Sequence, residues 1–234
     1  PAFEPKPSDR SGYAAAYDPY HRRLWMFGGL RTSFGTLAND WWWWNLSSNT
    51  SFGWSQLAIA GTPPTGLVHA SAIHDAPRDR LLLFGGEDAG GVQRHEVWAV
   101  NLSGTPTWTQ ITAAGPVGRS RHVAVYDALR QRMVIHGGGP SSAPLDDAWA
   151  LELAGTPAWT QLPATLPRTN HTAIYDAPRD RIITFGGHGV GGTVGNVVSQ
   201  LSLNDPSAWG TIDPAGALPS ARFGHMAAYD PNRD

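Results

Sequence analysis

Residues 70–86 read ASAIHDAPRDRLLLFGG, and residues 171–187 read HTAIYDAPRDRIITFGG. Looser copies stand at 13–29, YAAAYDPYHRRLWMFGG, and at 122–138, HVAVYDALRQRMVIHGG. Each runs from an aromatic residue or His and an Asp, through a basic residue, into an apolar run that closes on Gly-Gly. The marker aspartates Asp18, Asp75, Asp127, Asp176 and Asp230 are 57, 52, 49 and 54 residues apart. A period of that size means stacked supersecondary units rather than one continuous core. Residues present in every copy build the unit, so chemistry is to be sought where one copy departs from the rest.

Each period divides into four short strands. In the second they fall at 70–74, 81–84, 97–102 and 108–111, each a brief apolar or alternating run bounded by turn residues. The diglycines recur at Gly28-Gly29, Gly85-Gly86, Gly137-Gly138 and Gly186-Gly187. Tryptophans mark the third strand at Trp42, Trp98 and Trp149, with Ser199 in the fourth copy, and the outer strand at Trp54, Trp108, Trp159 and Trp209.

This combination of diglycine, spaced tryptophans and period resembles the kelch repeat over nearly the whole chain. The resemblance implies an all-β fold, a segment of a β-propeller with four four-stranded antiparallel blades. They are expected at about 10–59, 67–113, 119–164 and 168–213, in one segment spanning 1–234. A partial fifth unit, 219–234, would supply the first strand of a further blade at 222–230. Kelch propellers include protein-interaction modules, sugar-processing enzymes and galactose oxidase, so fold alone does not choose the function.

Composition narrows the choice. The chain has 27 Gly, 19 Pro and 11 Trp, and only 15% of its residues are charged. No apolar run approaches the roughly 20 residues of a membrane helix. A net charge of -2 without a dense Lys/Arg stripe argues against nucleic acid as the partner. There is no Cys, which removes disulfides and the Tyr–Cys crosslink of galactose oxidase and leaves the compartment open. No cofactor or metal is expected.

The shared residues read as structural. Glycine allows positive φ and close backbone approach after the apolar strand. Each of the first four marker aspartates, paired with an Arg five residues on, brackets the turn between the first two strands and caps its N–H groups.

Two rows of residues are candidates for binding. Arg10, Arg119, Arg168 and Arg222 each lie eight residues before a marker Asp, with Leu67 in the second copy. In kelch propellers this places them where the innermost strands begin, on the face that carries the loops after Gly-Gly. Guanidinium groups there suit a carboxylate or an acidic peptide. His122, His171 and His225 follow three residues behind. Two departures stand out: His136 replaces the Phe of the other copies, and His188 follows Gly187 in a Gly-rich loop. With His95, Glu96, Glu87 or Asp88 they form a weaker alternative, an acid/base or metal site.

Four tryptophans, Trp25, Trp41, Trp43 and Trp44, have no recurring counterpart and all fall in the first unit. The sequence predicts that Trp25, Trp41 and Trp43 form an exposed interface, through which the chain self-associates or meets missing blades supplied by another chain. The resulting expectation is a binding module that recognises a protein or small acidic ligand through loops on one face. The ligand-binding candidates are Arg10, Arg119, Arg168, Arg222, His122, His171, His136 and His188. The alternatives are a carbohydrate-binding or carbohydrate-processing propeller, and a self-associating fragment with no ligand.

Overall fold

The computed structural model describes residues 5–47 and 53–230. Every four-stranded sheet among them is an antiparallel meander, and helix is confined to two single 3-10 turns, Ala76–Arg78 and Val190–Gly192. The chain forms two compact units, one holding residues up to 112 together with 117–120, the other holding 113–116 together with residues from 121 onward. Each unit contains two of the four-stranded sheets.

In the first unit, blade 1 is built from Ala14–Asp18, Arg23–Phe27, Trp41–Asn45 and Trp54–Gln56. Blade 2 follows with Ser71–Asp75, Arg80–Phe84, Val97–Asn101 and Trp108–Ile111. A small three-stranded ribbon, Arg10–Ser11 with Leu30–Arg31 and Thr36–Leu37, joins the start of blade 1 to its own diglycine loop. In the second unit, blade 3 comprises Val123–Asp127, Arg132–His136, Ala148–Glu152 and Ala158–Leu162. Blade 4 comprises Thr172–Asp176, Arg181–Phe185, Val198–Ser202 and Trp209–Ile212. The strands expected in the second period agree with these bounds to within a residue.

The marker aspartates behave as the turn chemistry requires. Asp18, Asp75, Asp127 and Asp176 pair in register with Arg23, Arg80, Arg132 and Arg181 across the first hairpin. One residue before each Arg the backbone is left-handed, at Arg22, Asp79, Gln131 and Asp180, with φ of 52°, 44°, 50° and 47°. That conformation disfavours most side chains. The buried carboxylate offsets it by accepting bonds from the turn: Asp127 takes the Arg130 N–H and Arg132 Nε, Asp176 the Arg179 N–H and Arg181 Nε. Hydrogen bonds from Arg181 and Arg179 hold the Asp176 carboxyl below the usual range, although burial works against them.

Sheet faces meet in seams. In the first unit Ala14, Ala16, Trp25, Phe27 and Trp41 of blade 1 pack with Ala72, Leu81, Leu83, Val100 and Trp108 of blade 2. The structure corrects the expectation of an exposed tryptophan face: Trp25 and Trp41 are fully buried, and Trp43 packs against the same cluster. Their bulk fits because it is compensated within the sheet. Ala14 lies in register with Phe27 and Trp41, and Ala16 with Trp25 and Trp43. Blade 3 holds the reverse combination, Val123 in line with Ala148 and Val125 in line with Ala150. Total volume, not residue identity, is what a packed seam conserves.

Residues 222–230 carry the fifth unit's opening sequence. They form no ladder among the described residues, yet they engage blade 4 through main-chain bonds: Gly187 N–H to the Arg222 carbonyl and Gly224 N–H to the Asn170 carbonyl.

Candidate functional site

The residues at the arginine position are held by main chain before their side chains matter. The N–H of each second diglycine glycine donates to the carbonyl of the residue opening the next copy: Gly29 to Leu67, Gly86 to Arg119, Gly138 to Arg168 and Gly187 to Arg222, each at 2.8 Å. The first glycine must be bare for this approach. A Cβ on Gly137 would lie 2.6 Å from the Arg168 carbonyl oxygen, and one on Gly28 2.7 Å from that of Leu67. Leading loops and diglycine loops are thereby fixed beside one another, as the sequence suggested.

The four arginines are not equivalent. The Arg10 guanidinium meets Asp40 Oδ1 at 2.6 Å and donates to the Gly28 carbonyl; Asp40 also accepts the Trp42 indole N–H at 2.8 Å. Burial would raise the Asp40 pKa, but the bonds from Arg10 and Trp42 outweigh it and hold the carboxyl below the usual range. Arg119 is fully buried, with Nε on the Val117 carbonyl. Arg222 is exposed, and among the described residues its side chain bonds within its own loop, to Ser220.

Arg168 differs from Arg10 in its partners. It is 5% exposed and donates to the Val197 carbonyl at 3.2 Å, the Gly186 carbonyl at 3.5 Å and Ser199 Oγ at 3.0 Å. All three acceptors are neutral. Burial alone lowers the pKa of this guanidinium, with no carboxylate opposing it.

The histidines lie deeper than expected. His136 does not reach the loop face; it points into the seam between blades 3 and 4, where Phe27 sits in the first unit. Its Nδ1 is 2.9 Å from His171 Nε2, and its ring packs on Trp209 with centroids 4.9 Å apart. His171 is buried, and desolvation, reinforced by the neighbouring His136, Arg168, His122 and His225, pushes its pKa well below 6.5. His122 is buried, and His225 bonds Thr172 Oγ1 at 3.1 Å. His188 remains on the loop, bridged to Thr169 and Val194 and stacked on Phe223 with ring centroids 3.8 Å apart.

The acids considered with them are engaged elsewhere: Glu87 with Gln93, Asp88 with the N–H groups of Gly90 and Val92, and Glu96 with Arg94. No group of three or more His, Asp or Glu among the described residues is arranged to hold a metal. Sequence reading missed Val197. Its signal was available, because the residue two before each third-strand Trp is Asp40, Glu96 or Asp147, and the same place before Ser199 is Val197.

The KLHDC2/KLHL20/DRC7 Kelch-repeats domain matches residues 19–233. The chain therefore belongs to the kelch-repeat family. It is similar to the Rab9 effector protein with kelch motifs of Xenopus laevis, 32% identical over 103 residues, covering 42% of this chain and 27% of that protein. It is also similar to putative adagio-like protein 2 of Oryza sativa subsp. japonica, 29% identical over 212 residues, 87% of this chain and 32% of that one. A third relative is the flagellar outer-arm dynein alpha chain of Chlamydomonas reinhardtii, 29% identical over 150 residues, 62% of this chain and 3% of that one. The chain thus spans at most about a third of these relatives. No helix among the described residues is long and apolar enough to cross a membrane.

Proposed function

We propose that the chain is a binding module, recognising a protein or small acidic ligand through the loops before the inner strands and after the diglycines. One observation carries the reading: Arg168, at the base of those loops, is a buried cation whose acceptors are all neutral. A buried charge is ordinarily paired. Family membership supports the broader part, since kelch domains commonly mediate protein contacts. The test is an array of acidic, neutral and basic peptides, probed at low and high salt. Selective, salt-sensitive retention of the acidic set supports the reading; equal retention of all three, or capture of neutral glycans instead, defeats it.

The association expected through blade 1 needs a different surface, since Trp25, Trp41 and Trp43 are committed to the seam. The opposite face of that blade carries Tyr17, Leu24, Trp44 and Trp54 in one register row, with Tyr17 53% and Leu24 39% exposed. Self-association or docking of further blades would use this row.

A further inference from the structure

Arg10 and Arg168 hold the same place in the repeat, and their surroundings differ at three residues, the first being Leu166 where Arg10 bonds Ser8. In blade 1, Asp40 neutralises the arginine and accepts the Trp42 N–H. In blade 4, Val197 stands where Asp40 does and Ser199 where Trp42 does. The Arg168 guanidinium keeps the diglycine carbonyl contact, at Gly186, takes the Val197 carbonyl and the Ser199 hydroxyl in place of Ser8, and loses the counter-ion. Beside it opens a cavity of about 270 Å³, with Leu166, Pro167, Val190 and Val197 among its walls and the backbone of Gly186 and Gly187 at its edge.

We infer that this cavity takes a carboxylate on a short apolar stem, with Arg168 as its counter-ion. The inference rests on the proposed function and locates it at one place. The size suits a side chain or a small acid, being at the lower limit of ordinary ligand pockets. The walls suit an aliphatic stem, and the charge selects the acid: an isosteric amide would leave the guanidinium as uncompensated as it is now. Val197 is the specificity-determining residue, because an acid there would pair with Arg168 internally and close the site.

The experiment uses hexanoate and its uncharged amide, hexanamide, as a matched pair. The Arg168 Nε–H resonance should move saturably with hexanoate and stay in place with hexanamide. Thermal stability should rise with hexanoate alone. Val197→Asp should raise the melting temperature of the free protein and abolish the hexanoate response. Arg168→Met should weaken hexanoate by about tenfold or more, the loss expected for a charge-assisted bond. Equal responses to acid and amide, an unmoved Arg168 resonance, or an undiminished hexanoate response in Val197→Asp would each overturn the inference. If acidic peptides still bind Val197→Asp as they bind the parent, the loops recognise acid elsewhere and only this pocket is wrong. If the parent binds no acidic peptide and no hexanoate, both readings fall.

Discussion

The seam between blades 1 and 2 and the seam between blades 3 and 4 have the same register and opposite chemistry. Where Phe27 packs tilted on Trp41 and edge-on to Trp108 in the first, His136 bonds His171 and packs on Trp209 in the second. Where Trp41 and Trp43 fill the first, Ala148 and Ala150 line the second. One seam is closed by apolar bulk, whose contribution scales with area and ignores pH. The other places two imidazoles in its interior, and its strength depends on the His171 ring staying neutral. A repeat thus fixes where a side chain points and leaves open which force it supplies.

The comparison breaks most sharply at Trp41. Trp41→Ala gives the first seam the residue of the second without the compensating valines at Ala14 and Ala16. It should destabilise the first unit by about 3 to 5 kcal/mol, read by chemical denaturation; a loss under about 1 kcal/mol would show that the seam collapses around the void. Asp40→Ala comes next, because it strips a buried guanidinium of its partner and frees the Trp42 indole. A loss of about 3 kcal/mol is expected, and Asp40→Asn should recover part of it by keeping an acceptor for Trp42.

The third test is acid. His171 has its pKa lowered by burial, so the unfolded chain takes up a proton at higher pH than the folded one. Stability is therefore complete above the unfolded value near 6.5 and falls as pH drops from there toward the lower folded value, by up to about 1.4 kcal/mol per pH unit. Hydrogen exchange at pH 7.5 and 5.5 should show this loss in blades 3 and 4. His136→Phe removes one of the neighbours that depress the His171 pKa, so the loss should span a narrower pH range, and an unchanged pH profile would assign the effect elsewhere. The smallest effect belongs to Arg23, which stands 4.2 Å over the half-buried Trp43 ring. Arg23→Gln should cost about 0.5 to 1 kcal/mol.

Strands, turns and diglycines were legible because main-chain geometry demands particular residues there. Asp caps the left-handed turn at Asp79 and Asp180, and only glycine lets Gly137 approach the Arg168 carbonyl, so these positions repeat. The burial of Trp25 and Trp41 was hidden because it depends on Ala14 and Ala16, which lie on the first strand of the same sheet and in one register row with them. The state of Arg168 was hidden for a related reason. It is decided by Val197 and Ser199, thirty residues on, and neither is conspicuous until set against Asp40 and Trp42. His136 was correctly singled out as a departure, but the alternating pleat turned it inward to the seam rather than outward to the loops.

The main-chain latch from each diglycine to the next copy bears on how such a chain changes over generations. Its donor is a glycine N–H and its acceptor a carbonyl, which Leu67 offers as well as Arg168 does. A tandem copy of one period would bring a working clasp with it, whatever residue opened the copy. Loop length is equally free, as marker spacings from 49 to 57 attest. Substitutions such as Val197 can therefore accumulate beside the clasp without loosening it, and each copy is at liberty to acquire a chemistry its siblings lack.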